Sequence, residues 1–330
     1  MRPFEYASAR SRQQAVSLLG TSWDQAEVLA GGSDLLALMK DDVVRPRRLV
    51  SIKEIPDLRE VRAAEGGLSI GALLTLAELS DHPQVRQKYP ALRQAIDDAA
   101  SPQIRNVATL GGNLCQRPRC WYFRGGHGLL ARGPAGASLV LNGDNRYHAI
   151  LGNQGPAYFV SPSTIAPVLI AYGARVRLYG PRGERQMPLE KFFRVPQSDG
   201  EREHDLQPNE IVTEIVLPAA EGTRGGNYEV RQKEAFDWPY ATASAVLRMS
   251  GATVESARIV LGHVAPVPWV SGEAAQAITG KPVNEQTAAA AGQAAVAGAR
   301  PLSRNKHKVQ LARVAVARAL LAAARGTARA

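Results

Sequence analysis

Two short glycine turns carry the residue types from which this chain could do chemistry: AGGSDLL, from Ala30 to Leu36, and TLGGNL, from Thr109 to Leu114. Each follows an apolar, strand-like approach and sets polar residues beside glycine, the combination that lets backbone N–H groups close around a phosphate. In the first turn the main-chain N–H groups of Gly32 to Leu35 can point at a pyrophosphate, with the Ser33 hydroxyl and a helix start adding to the attraction. Asp34 would repel phosphate if it faced inward, which assigns it to capping the helix or to a ribose or adenine group. In the second turn the Thr109 hydroxyl and the Asn113 amide can donate to phosphate or to ring carbonyl and nitrogen positions of a flavin. Different polar partners at the two turns suggest one long anionic ligand held from both ends. The competing explanation for either turn alone is a tight β–α connection that needs glycine for its conformation. Neither turn matches the GxGxxG fingerprint or carries the lysine of a P-loop, which disfavours an ordinary Rossmann or nucleotide triphosphatase fold.

These turns must be held by regular elements, and the surrounding sequence supplies them. The first fifty residues alternate strand-like FEYA, a helix around residues 11 to 20, strand-like AEVLAGG, a short helix DLLALMKD and RRLVSI, a βαβαβ pattern. A second lobe starts near Asp57, with LSIGALLTL as strand and turn and a helical run through YPALRQAIDDAA. From Cys115 to about Pro156 the pattern breaks into a Gly-, Pro- and Arg-rich stretch without a sustained period, and such loops are usually functional or disordered. Regular structure resumes with helical PSTIAPVLIAYG and the strand ARVRLYG. After a polar joint, PQSDGEREHDLQP, the alternating segments EIVTEIVLP, NYEVRQK, YATASAVLRM and SARIVLGHV predict an antiparallel sheet. Three Ala-rich helical stretches accompany it, around Gly272 to Ile278, Asn284 to Ala299 and Asn305 to Ala324. The expected division is therefore 1–56, 57–208 with a long insertion at 115–156, and an α+β domain over 209–330.

At 330 residues, 45% hydrophobic and 21% charged, the chain has the composition of a soluble globular protein with more than one core. No apolar run approaches the ~20 residues of a membrane span, and the N-terminus lacks a signal-peptide core. The net charge of +10 is scattered rather than gathered on a nucleic-acid module, so no nucleic-acid partner is expected. Basic residues of the C-terminal helical stretch are expected on its solvated face. Two cysteines, Cys115 and Cys120, are too few for a disulfide scaffold or a complete tetrahedral metal site.

In order along nearly the whole chain, AGGSDLLALMK, LSIGALLTLAEL, SPQIRNVATLGGNLCQRPRCWYF and GHVAPVPW resemble the FAD-binding medium subunit of the molybdenum hydroxylase family. That family includes xanthine dehydrogenases, carbon monoxide dehydrogenases and bacterial aldehyde oxidoreductases. QRPRCWYF and the insertion after it are most similar to the periplasmic aldehyde oxidoreductase branch. The resemblance implies an α+β fold: a two-lobed FAD-binding domain of the vanillyl-alcohol-oxidase/PCMH type, then a C-terminal antiparallel sheet with three helices. It implies that Val28, Leu29, Ala30, Gly31, Gly32, Ser33, Asp34 and Leu35 line the diphosphate. Thr109, Gly112 and Asn113 are matched to contacts from the second lobe, and Thr164 and Tyr240 to the neighbourhood of the ring.

Two departures from the family follow from the same matching. The branch carries four cysteines in its insertion for a 4Fe-4S cluster, whereas only Cys120 matches here; His127 to Leu129, Ala137 and Ala157 fall at the other positions. No 4Fe-4S cluster and no other metal on this chain is expected, since a cluster needs close to four strong ligands. At SPSTIAP, Thr164 stands where related subunits commonly have Asp; the change either removes an acceptor and a negative field from the flavin, altering its potential or binding, or is neutral drift with water replacing the carboxylate. Trp121, Tyr122 and Phe123 fit either a shield for the flavin or a local core anchoring the loop. His127 and His148 are expected to be solvated or hydrogen-bonded.

The implied role is electron transfer. A separate large molybdopterin subunit would oxidise an aldehyde or N-heterocycle, a small subunit with 2Fe-2S clusters would relay electrons, and FAD here would pass them to an external acceptor. No catalytic acid, base or nucleophile is required of this chain. A stand-alone flavin oxidoreductase and a non-redox scaffold are the alternatives. The expected compartment is the cytoplasm by default, or the periplasm by co-export with a signal-bearing partner.

Overall fold

The computed structural model describes residues 1–64, 66–233 and 237–326. Three sheets form in chain order. The first contains β1 (Glu5–Ser8), β2 (Ala26–Leu29) and β3 (Arg48–Ser51), all parallel, in the order β1-β3-β2. Parallel neighbours need crossovers, and the helices Arg12–Leu18 and Leu35–Lys40 provide them. Ser11 starts the first helix by accepting from the Gln14 N–H, so this lobe follows local signals closely.

The second sheet contains β4 (Val61–Ala64), β5 (Gly67–Gly71), β6 (Arg175–Gly180), β7 (Gly183–Pro188) and β8 (Ile211–Leu217), ordered β4-β5-β8-β6-β7. The expected domain boundary at 209 is corrected here. EIVTEIVLP does not open the C-terminal sheet; it is β8, the central strand of the second lobe, antiparallel to both β5 and β6. All seven residues of β8 are buried, including Glu214. Its carboxylate is neutralised by Arg12, Arg62 and Arg177 and accepts from Ser69 Oγ at 2.7 Å, which is what makes a charge tolerable at the middle of a sheet. The helices Leu76–Asp81, Pro90–Asp98 and Ala166–Ala171 cover this lobe through Leu79, Leu92, Ile96 and Leu169.

The C-terminal sheet therefore begins at β9 (Thr223–Val230) and continues with β10 (Ala241–Ser250), β11 (Thr253–Gly262) and β12 (Trp269–Val270), in the order β12-β11-β10-β9. The helices Gly272–Ile278, Glu285–Ala295 and His307–Arg325 pack on one face, and their alanines permit a close approach. At Gly226 a Cβ would lie 2.3 Å from Ala319 O, so glycine lets the last helix rest on β9. The neighbouring Gly225 faces the other way, where a Cβ would meet Ala91 of the second lobe at 2.9 Å. Strand alternation then turns Asn227 and Glu229 toward the second lobe as well.

The Gly- and Pro-rich stretch is ordered by tertiary ties rather than by its own period. It holds the short helices Trp121–Arg124 and Leu139–Asn142. Asn145 Nδ2 donates to Val140 O at 3.0 Å, and its Oδ1 accepts from Arg304 N at 2.9 Å. Lys308, fully buried, donates to the carbonyls of Tyr147, His148 and His263 at 3.0, 3.0 and 2.7 Å. One cation of the basic C-terminal helix is thus a buried fastener, contrary to the expected solvated face.

Candidate functional site

The first glycine turn leaves β2 at Leu29 and brings the two lobes into contact. A Cβ on Gly31 would lie 1.9 Å from Val107 O of the second lobe, and Gly32 has φ +74°. Glycine is needed at both positions before any ligand is considered. The N–H groups of Gly31 to Leu35 find no acceptor among the described residues. Val28, Ala30, Gly31, Gly32, Ser33, Asp34 and Leu35 line one cavity with Thr109 and Gly112. Leu29 does not join them; it packs with Met39 and Leu49.

Asp34 makes no side-chain cap bond at the helix it precedes. Its Oδ2 accepts from Arg117 N at 2.7 Å, and Oδ1 meets Arg124 at 2.8 Å and Arg119 at 3.0 Å. The residue thus ties the first turn to the stretch that follows the second, which corrects the expected cap or ribose contact. Two guanidinium groups on one carboxylate leave positive charge at this junction.

At the second turn Thr109 caps the short helix Leu110–Leu114, its Oγ1 accepting from Gly112 N at 3.1 Å. Asn113 Oδ1 accepts from Ser163 Oγ at 2.7 Å, which leaves the amide NH2 as donor. Asn113 and the 5% exposed Thr164 line a second cavity, and the Thr164 hydroxyl has no hydrogen-bond partner among the described residues. Ser33, Asp34, Gly112 and Gln116 border both cavities, so the two form one cleft that runs from the first lobe to the C-terminal sheet. The C-terminal contribution comes from Glu229, Asp237, Trp238 and Pro239. Tyr240, expected near the ring, is absent from the cleft lining: its N–H extends the β9 ladder to Val230 O at 2.8 Å and its ring stacks on Tyr147, centroids 5.0 Å apart.

Several cleft residues were not foreseen. The polar joint at 196–208 folds into the first cavity, where Arg202 pairs with Glu27 and Glu203 accepts from Arg117 at 2.9 Å. Arg202 also lies over the Trp23 ring at 4.2 Å. His204, stacked on Phe192, is pushed down to about 3 by burial and then by Arg202 and Arg117, so it is a neutral imidazole. Burial first, then Glu27, pushes the Cys115 thiol up to about 12. Arg119 lies 4.5 Å over the Trp238 ring, and burial lowers it to about 10. The basic run Arg117 to Arg124 was the available signal, but its acidic partners lie far away in sequence.

Of the insertion residues matched to cluster ligands, Ala157 and Cys120 are packed by apolar neighbours, whereas His127 and Ala137 are exposed. Ala157 shares a cluster with Phe123, Leu129, Leu130 and Phe159, against which Cys120 packs. Cys120 Sγ is 3.2 Å from Nε2 of the buried His148, and its thiol is raised by burial. Both cysteines are free. Phe123 is core, while Trp121 and Tyr122 reach Asp144 O at 3.1 and 3.3 Å, which is the loop-anchoring arrangement.

Residues 2–220 match the family described as the FAD binding domain in molybdopterin dehydrogenase, and residues 227–323 match the CO dehydrogenase flavoprotein C-terminal domain. The chain is 33% identical to the aldehyde oxidoreductase FAD-binding subunit PaoB of Escherichia coli (strain K12), across 99% of this chain and 100% of the relative. Carbon monoxide dehydrogenase from Hydrogenophaga pseudoflava, solved in a form that lacks the Mo-pyranopterin moiety of the molybdenum cofactor, has the same fold. It aligns with a TM-score of 0.78 at 31% identity, covering 99% of this chain and 100% of that one. Quinoline 2-oxidoreductase from Pseudomonas putida 86 aligns with a TM-score of 0.77 at 25% identity, covering 98% of each chain. With both halves and the whole fold matched, the chain belongs to the FAD-binding medium subunits of the molybdenum hydroxylase family, an oxidoreductase subunit.

Proposed function

We propose that this chain is the electron-transfer subunit of a heteromeric molybdenum hydroxylase that oxidises aldehydes or N-heterocycles. It would take electrons from the 2Fe-2S clusters of a small partner, downstream of a large molybdopterin partner, and deliver them to an external acceptor. The observation that carries this reading is the single cleft joining a turn of unpartnered N–H groups to a cavity under the C-terminal sheet that holds Asn113 and Thr164. Its residues fit FAD. Gly31 to Leu35 and Ser33 would hold the diphosphate beside the excess positive charge of Arg119 and Arg124, and Asn113 and Thr164 would donate to the ring. Bound there, FAD would supply the exchange between one-electron and two-electron chemistry.

The cleft offers little for substrate chemistry of its own. Its thiol, Cys115, is held protonated by burial, and its imidazole, His204, is held neutral and stacked. Neither is poised as nucleophile or base near neutral pH. The names of the relatives support partners of this kind: one is an aldehyde oxidoreductase subunit and another a quinoline oxidoreductase.

The reading also makes flavin the sole redox centre of the chain, supported by the apolar packing of Ala157 and Cys120. Purified chain should show flavin absorption, and the flavin should be reduced when the native complex receives substrate. Absence of flavin bands would favour a scaffold, and substrate turnover by the isolated chain would favour a self-contained oxidoreductase. An iron assay returning about four irons per chain would overturn the sole-flavin reading.

A further inference from the structure

Glu229 stands beside the neutral donors Asn113 and Thr164 in the second cavity. It lies near the end of β9, opposite Thr242 across the ladder, with its side chain 3% exposed. It lines the cavity together with Asn113 and Thr164, and its Oε1 is buried without a hydrogen-bond partner. A buried carboxyl oxygen without a protein partner calls for an explanation, and beside a cavity a ligand group can supply one.

The charges around it do not restore an ordinary carboxylate. On its own strand's extension, Arg231 Nε is 3.6 Å from Glu229, beyond hydrogen-bond reach, and the guanidinium is shared: Nη1 donates to Asp98 O at 2.8 Å and Nη2 lies 3.9 Å from Asp98 Oδ1. From the helix Pro90–Asp98, Asp98 adds a like charge. The facing strand offers only the uncharged Thr242, and across the cavity stand Asp237 and the Asp34–Arg119 pair. Burial foremost, then Asp98, pushes Glu229 up to about 8 against the pull of Arg231. Near neutral pH it therefore carries its proton and is a donor as well as an acceptor.

We propose that Glu229 is a ring-binding residue of this cleft, donating a hydrogen bond from its neutral carboxyl group to an acceptor on the flavin ring. It stands on the wall contributed by the C-terminal sheet, facing the donors Asn113 and Thr164 of the second lobe. The ring is then held from two domains, and its binding takes up a proton as pH rises past the point where the free carboxyl ionises. Asn113, Thr164 and Glu229 together give the cavity three neutral donors beside the charged Arg119. This inference rests on the FAD reading above.

The test uses the full-length chain stripped of flavin and titrated with FAD, with lumiflavin as the ring alone, and with ADP as the other end. Between about pH 6.5 and 9 the wild type should lose roughly threefold to tenfold in affinity for FAD and lumiflavin, while ADP binding stays level. Glu229→Gln, which keeps a donor but cannot ionise, should bind both flavins with a flat profile. Glu229→Ala should bind weakly throughout the range, and if it does not fold the Gln variant decides. The same pH dependence in Glu229→Gln, a flat wild-type profile, or an ADP affinity that follows pH overturns the inference. Wild type that binds lumiflavin but gains nothing from the ADP portion sinks the diphosphate reading while leaving Glu229 in place. No flavin binding at any pH sinks both.

Discussion

The two ends of the cleft handle charge in opposite ways. At the first-lobe end, charged side chains are held in close ion pairs: Arg117 with Glu203, Arg202 with Glu27, and Arg119 and Arg124 sharing Asp34, although Glu203 Oε2 and Arg119 Nε keep no hydrogen-bond partner among the described residues. At the C-terminal end the neutral donors Asn113 and Thr164 line the cavity, and Glu229 has no hydrogen-bonded partner among the described residues, with Arg231 3.6 Å away. The contrast teaches that burying charge is not the discriminating property of this site. What differs is how closely the charge is paired: Arg117 and Glu203 meet at 2.9 Å, whereas Glu229 and Arg231 stand 3.6 Å apart.

The largest effect that would break this comparison is expected at the seam. Gly31→Val places carbon against Val107 O, so it should lower unfolding free energy by about 3 kcal/mol or more and abolish FAD retention, measured by urea unfolding and flavin content. Near-normal values would show that the lobes need not close there. Arg117→Met leaves the 9% exposed Glu203 carboxylate unpaired and should cost about 3 kcal/mol in the same unfolding assay. A much smaller loss would mean that the close pairing of Arg117 with Glu203 adds little to stability.

A pH titration of stability sharpens the other side. Glu229 is raised above its unfolded value, so its contribution is fully present below about 4.5 and is lost as pH rises through about 8. Wild type should lose about 2 kcal/mol more between pH 6 and 9 than Glu229→Gln does, and equal slopes would remove Glu229 as the source. The smallest effect is expected for Ser33→Ala, with roughly fivefold weaker FAD binding, about 1 kcal/mol, and unchanged stability. Weakened lumiflavin binding by that variant would place Ser33 at the wrong end.

How far the sequence could be read depended on how local the cause was. The first lobe followed from alternation and caps, because each crossover is short and Ser11 announces its helix. The second glycine turn was legible for the same reason, with Thr109 acting on Gly112 three residues on. β8 was misassigned because EIVTEIVLP alternates equally well in either sheet, and only its pairing with β5 and β6 decides the matter. Arg202, Glu203 and His204 looked like a polar joint because their partners Glu27, Arg117 and Phe192 are supplied by other parts of the fold. Tyr240 lies a small offset from the cleft lining: Trp238 and Pro239 reach the cleft, while the ladder bond to Val230 turns Tyr240 toward Tyr147. Glu229 had no signal, since a glutamate on an alternating strand reads as the solvated face until a second domain covers it.

The position of β8 also sets a timetable for synthesis. β5 ends at Gly71, yet its antiparallel partner spans Ile211–Leu217, so everything between them leaves the ribosome before that pair can close. The first lobe can assemble from its own parallel strands early, whereas the second lobe must wait with its apolar helices unshielded. The second wall of the cleft can then form only late in translation, and a nascent chain cut before Leu217 should have half a grip and no hold on its ligand.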